Sequence, residues 1–271
     1  MAGDPAYLED IFSLKGQVAI VTGGMGQLGT EYVGALARAG ARVAIYDTKE
    51  QPNEALKSLA ERYPVKFFVV DITNRKALEN VTDQLEISWG TPAILVNNAA
   101  LDFPPQPSGE TFEDTPVSRW KQVLEVNLTG VFLCCQVIGG RMARADGGSI
   151  INISSIYGLV SPDQRIYRNP NPEGNFIKPA AYGVSKSGLV SLTRYLATYW
   201  AERKVRVNAL SLGGVFNNQE QWFVANYSQR TPMGRMAHQD EYNGAIVFLA
   251  SGASSYMTGA NLVIDGGWTA W

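Results

Sequence analysis

Apolar residues gather along this chain in short runs separated by longer amphipathic stretches. The runs are Val18–Val21, Val43–Tyr46, Phe67–Val70, Ile94–Val96, Ile150–Ile153, Val205–Ala209 and Leu262–Ile264. Each is nearly continuous rather than alternating, as expected of parallel strands covered on both faces. Between them the apolar spacing predicts helices over Leu28–Ala39, Glu54–Arg62, Arg75–Trp89, Ser118–Ala145, Ala181–Glu202 and Glu241–Ala250. Strand alternating with helix predicts an α/β fold: a doubly wound parallel sheet of about seven strands flanked by helices on both faces. No repeat, low-complexity tract or linker divides residues 1–271, so one domain is expected. Three stretches break the rhythm: Leu101–Pro116, Ser161–Pro179 and Gly213–Gln239. Long loops of this kind overhang the ligand crevice when they follow strand C-termini.

Composition narrows the possibilities. The formal net charge of −2 gives no basic field for nucleic acid. The longest uncharged apolar stretch, Val126–Gly140, is too short and too polar to span a bilayer. Cys134 and Cys135 are adjacent, so they form no disulfide framework. With His238 as the single histidine, no metal-ligand spacing exists, and no metal is expected. A soluble, cytoplasmic protein is the expectation.

The first run leads into Thr22-Gly23-Gly24-Met25-Gly26-Gln27-Leu28-Gly29 and then a helix. Strand, glycine turn, helix lets backbone N–H groups approach a pyrophosphate at a helix N-terminus. The second strand ends in Asp47. A carboxylate there accepts hydrogen bonds from ribose hydroxyls and repels a 2′-phosphate, which favours NAD over NADP. Tyr182 and Lys186 stand one helical turn apart. A cation so placed favours the phenolate and lowers the tyrosine pKa, which would make a general acid/base.

Together these residues give the chain a resemblance to the short-chain dehydrogenase/reductase family, over about residues 14–267. Asn97-Asn98-Ala99-Ala100 is similar to the family's N-N-A-G element, and Asn127-Leu128-Thr129-Gly130 to the element carrying a catalytic asparagine. Ser155 takes the catalytic serine position, Tyr182 and Lys186 form the dyad, and Asp265-Gly266-Gly267 matches the single-domain ending. The resemblance implies a Rossmann-type fold and an NAD-dependent oxidoreductase. In it Asn127, Ser155, Tyr182 and Lys186 are catalytic: Ser155 orients the substrate oxygen, and Asn127 supports a proton-relaying water. It implies that Gly23, Met25, Gly26, Gln27, Leu28 and Gly29 hold the cofactor phosphates. Asp71, at the end of the third strand, and Ile72 would meet the adenine. Asn98 would lie near a cofactor ribose, Lys186 on the nicotinamide ribose and Val215 near the carboxamide. A homo-oligomer, dimer or tetramer, is also implied, and the aromatic tail Trp268–Trp271 is expected at a subunit interface or near a neighbour's active site.

Two departures bear on the substrate. Gln27 stands where the single-domain branch has its middle glycine, and Ser155 and Tyr182 lie 27 positions apart, about twice the usual gap. Both features resemble the extended branch of nucleotide-sugar epimerases and dehydratases, although the chain is too short for that branch's sugar-binding domain. The insert over 161–179 carries Arg165, Tyr167, Arg168, Asn169, Asn171, Asn175 and Lys178. It offers hydrogen bonds, positive charge and little apolar surface, which suits a sugar, sugar acid or sugar nucleotide. Candidate substrate contacts are Ser155, Arg165, Tyr167, Asn217 and Trp222. A solvated surface loop is the competing reading of the insert. An epimerase or dehydratase retaining NAD, and a non-catalytic NAD-binding scaffold or sensor, are the competing functions.

Overall fold

The computed structural model describes residues 5–102, 111–171 and 176–271. Seven strands form one sheet: β1 Val18–Thr22, β2 Arg42–Asp47, β3 Val65–Val69, β4 Ile94–Asn97, β5 Gly148–Ser155, β6 Val205–Leu212 and β7 Asn261–Ile264. Their spatial order is β3-β2-β1-β4-β5-β6-β7, and every neighbouring pair is parallel. All seven predicted strands are present.

The continuous apolar runs are explained by two cores. Ala19 and Val21 of β1 face one layer, while Val18 and Ile20 face the other. The edge strands β3 and β7 depart from this, because each has one neighbour and residues that are mostly only partly covered. The helices Gln27–Arg38 and Asn243–Ala250 cover the first layer, through residues such as Tyr32, Leu36, Ile246 and Leu249. Arg75–Trp89, Val117–Arg144 and Ala180–Tyr199 cover the second, through Leu78, Leu85, Ile138, Met142, Leu189 and Leu196. A buried aliphatic side chain of this kind contributes roughly 1.5–3 kcal/mol.

Val117–Arg144 is long and apolar enough by composition to cross a membrane. Its apolar face packs on the sheet, as a core helix does. It widens into π turns over Glu125–Gly130 and Cys135–Gly139, irregularities that an apolar pattern cannot register. Two helices lie where none is predicted, Pro5–Phe12 and Gln221–Arg230. The second falls within the stretch read as irregular, because its apolar face is aromatic and meets the insert rather than the sheet.

Strand order reverses between β1 and β4, so the loops leaving them diverge and open a crevice at their C-terminal ends. Thr22 pins this point. Its Oγ1 accepts the Asn98 and Ala99 N–H groups at 3.0 and 3.1 Å.

Candidate active site

The glycine turn is shaped by close packing. Gly23 has φ +62°, and a Cβ there would lie 2.7 Å from Ala99 Cα. A Cβ on Gly29 would lie 2.2 Å from the Gly23 carbonyl oxygen, so only glycine lets helix and turn approach so closely. Gly26 caps the Gln27–Arg38 helix without any side-chain acceptor, leaving the first-turn N–H groups aimed into the crevice. Asn98 braces the turn, its Nδ2 donating to the Thr22 and Gly23 carbonyls at 3.1 and 3.0 Å. Gln27 ties it to the far lip, donating to the Phe216 carbonyl at 2.9 Å. These features fit a dinucleotide phosphate.

Asp47 closes β2 and is buried. Its two oxygens accept the Met25 and Lys49 N–H groups at 2.9 and 3.0 Å, which leaves further lone pairs for a ribose. Lys49 turns its ammonium to the Met25 carbonyl. Asp71 lies two residues beyond the end of β3 rather than on it, exposed, and accepts both the N–H and the hydroxyl of Thr73. Ile72 is buried and crowds Gly130 of the long helix.

Ser155, Tyr182 and Lys186 come together on a cleft of about 300 Å³, with Leu28, Asn98 and Val215 on its wall. β5 delivers Ser155 at its end, and the Ala180–Tyr199 helix presents Tyr182 and Lys186 on one face. Lys186 is buried, donates to the Ile153 carbonyl at 2.8 Å and sits 5.6 Å from the Tyr182 ring centre. Burial pulls its pKa down to about 8; Asp102 opposes that shift and Lys178 adds to it.

The expected lowering of the Tyr182 pKa is not found. Burial pushes it up, Asp102 adds to the rise, and the hydrogen bond with Ser155 opposes it. Desolvation is the largest effect, and Lys186, 5.6 Å from the ring centre, does not offset it.

Asn127 sits in the first π turn, buried. Its amide grips the Leu101 backbone, accepting the N–H at 2.6 Å and donating to the carbonyl at 2.9 Å, and also reaches Ser185 Oγ at 3.2 Å. It therefore fixes the loop leaving β4.

The insert differs from its polar reading. Its inner face is aromatic: Ile166 and Tyr167 are buried among Tyr157, Tyr227, Met236 and Trp268. Tyr167 lines the cleft, and its hydroxyl lies 2.8 Å from that of Tyr157. Arg165 does not line it, because its guanidinium is paired with Asp163 at 2.8 Å. Asn217 faces a separate crevice beside Gln27 and Glu31. Trp222 packs edge-on against Phe176 and Phe223 and donates to Glu220. Asn175 lies outside the described residues. In their place Phe223 and Tyr227 line the cleft, delivered by a helix that the sequence pattern did not reveal. Trp268 is buried within its own chain, stacked 4.5 Å from Tyr227, and Trp271 is exposed.

Known proteins resemble this chain over nearly its whole length. A family described as enoyl-(acyl carrier protein) reductase matches residues 24–269. The chain is 35% identical to galactitol 2-dehydrogenase of Rhizobium johnstonii, over 96% of this chain and 98% of that protein. It superimposes with a TM-score of 0.85 on a short-chain dehydrogenase of Leptospira borgpetersenii with bound NAD+, 35% identical, covering 99% of this chain and 97% of the other. A gluconate 5-dehydrogenase of Burkholderia cenocepacia in complex with NADP and tartrate is 28% identical, with a TM-score of 0.86 over 97% and 99% of the two chains. The chain thus belongs to the short-chain dehydrogenase/reductase family.

Proposed function

We propose that this protein is an NAD-dependent oxidoreductase that interconverts a secondary alcohol and a ketone on a polyhydroxylated small molecule. The observation that carries the reading is the convergence of Ser155, Tyr182 and Lys186 on one cleft beside the uncapped glycine turn. NAD, when bound, supplies the hydride acceptor. The N–H groups around Gly26 would hold its pyrophosphate, Asp47 its adenosine ribose and Lys186 its nicotinamide ribose. In the oxidising direction Tyr182 takes the hydroxyl proton, and in the reducing direction it returns it. Ser155 holds the substrate oxygen against Tyr182. Lys186 supports the phenolate, and its lowered pKa lets it exchange protons near neutrality. Asn127 fixes the wall of the cleft through Leu101.

NAD over NADP rests on Asp47, whose carboxylate at the end of β2 would repel a 2′-phosphate; among the similar structures one has NAD+ bound and another NADP. Relatives named as dehydrogenases align over nearly their whole length, which supports net oxidation over epimerisation. Exposed aromatic and apolar residues on the two long helices, Phe132, Val184, Tyr195 and Tyr199, support a homo-oligomer. The unpaired, buried thiols of Cys134 and Cys135 suit the cytoplasm.

The test is a panel of polyols, sugars and sugar acids with NAD+ or NADP+, followed by nicotinamide absorbance. Net NADH formation is expected, falling by about 10²–10⁴ in Tyr182→Phe. Full activity in that variant would sink the assignment, and turnover without net reduction would point to an epimerase.

A further inference from the structure

A second charged pair shares the cleft with the dyad. Lys178 Nζ lies 2.6 and 2.7 Å from the two oxygens of Asp102 and 4.4 Å from the centre of the Tyr182 ring. The lysine side chain is only 8% exposed, while the aspartate is 48% exposed and open to the cleft. Both partners are held by other elements. Gln164 clamps the Lys178 backbone, accepting its N–H at 3.0 Å and donating to its carbonyl at 3.3 Å. Asn127 clamps Leu101, the residue before Asp102, in the same manner. Lys178 is followed by Pro179, the N-cap of the helix carrying Tyr182. A pair fixed this way is preorganised rather than a flexible surface contact.

The charge distribution says what it can recognise. Among the described residues lining the cleft, the charged ones are Asp102, Lys178 and Lys186. Lys186 donates to Ile153 and belongs to the dyad. Lys178 is already ion-paired with Asp102. Arg165 is bound to Asp163, and Arg230 lies against Trp268 and Trp271. Residues 103–110 and 172–175 contain no lysine or arginine. A substrate carboxylate or phosphate therefore meets the open Asp102 carboxylate and no uncommitted cation, and like charges so placed disfavour binding. A hydroxyl meets the complementary arrangement: it can donate to Asp102 and accept from Lys178.

We propose that the Asp102–Lys178 pair is a substrate hydroxyl site that selects neutral polyols and uncharged sugars over sugar acids and sugar phosphates. The hydroxyl it holds sits near the reacting carbon, since Lys178 lies over the face of Tyr182. This rests on the oxidoreductase reading and narrows its substrate class.

The test uses the full chain with NAD+ and three matched substrates: a polyol, its deoxy analogue lacking one neighbouring hydroxyl, and the corresponding sugar acid. In the wild type, kcat/KM is expected to be at least about tenfold higher for the polyol than for either of the others. Asp102→Asn removes the negative charge and frees Lys178. It should lower kcat/KM for the polyol about ten- to hundredfold and raise it for the acid, shrinking or inverting the preference. Lys178→Gln should lower the polyol value without helping the acid, and it gives a second reading if Asp102→Asn fails to fold. Turnover with the acid preferred by the wild type overturns the proposal. So does an equal loss for all three substrates in both variants, the mark of a mere tether. Absence of any NAD reduction across the panel overturns the oxidoreductase reading along with it.

Discussion

Lys186→Met should make the cofactor-free protein more stable near neutral pH while abolishing its activity. Lys186 is buried, and its pKa falls from 10.5 to about 8 because its charge is poorly solvated there. At about 1.4 kcal/mol per tenfold change in acidity, holding that charge inside costs the fold roughly 3 kcal/mol. Methionine fills similar space without charge, but it loses the bond to the Ile153 carbonyl. That loss is worth about 1 kcal/mol. The net gain is about 2 kcal/mol, or a rise in Tm of about 4–8 °C for a domain of this size. The sign follows from proton binding. The folded pKa lies below the unfolded one, so between about 8 and 10.5 the unfolded chain holds more protons. Wild-type stability gains from this site as pH rises through that window. The advantage of the variant should be full near pH 7, shrink above about pH 8, vanish near about pH 10 and turn into a deficit approaching about 1 kcal/mol above that, where only the lost hydrogen bond remains. Thermal unfolding of both proteins at one concentration, near pH 7 and about pH 10, measures this gap; other groups titrate in both and cancel. A variant that melts below the wild type near pH 7, or a gap unchanged by pH, would refute the reasoning.

Gly29→Ala places a Cβ 2.2 Å from the Gly23 carbonyl oxygen and 2.7 Å from Gly24 Cα, with only backbone to yield. It should cost about 1–3 kcal/mol and weaken NAD binding at least tenfold, as read by calorimetric titration. Asp47→Ala removes the acceptor of the Met25 N–H and the charge proposed to meet the adenosine ribose. The ratio of kcat/KM for NAD over NADP should fall at least about tenfold, and an unchanged ratio would contradict the role given to Asp47. Trp268→Ala empties a buried site stacked on Tyr227 and covered by Arg230. A loss of about 3–5 kcal/mol by denaturant unfolding is expected. KM should also rise, because the Tyr227 hydroxyl bonds the Gly214 N–H on the cleft wall.

The sequence by itself determined the sheet and the dyad. Parallel strands covered on both faces must be continuously apolar, so all seven runs stood out, the partly covered edge strands β3 and β7 included. The glycine turn was legible because close packing at Gly29 excludes every side chain. Tyr182 and Lys186 were legible because four positions on a helix fix a shared face. Only the tertiary structure decided what surrounds them. The Asp102–Lys178 pair joins residues 76 positions apart, brought together by loops whose conformation no periodicity encodes. Among the described residues the insert looked polar because its exposed residues outnumber the apolar pair, Ile166 and Tyr167, that it buries. Its aromatic partners, Phe223, Tyr227 and Trp268, come from segments far along the chain. The sign of the Tyr182 shift was likewise beyond sequence. Spacing reveals a neighbouring charge, but desolvation depends on everything that packs around it, and here desolvation is the larger effect.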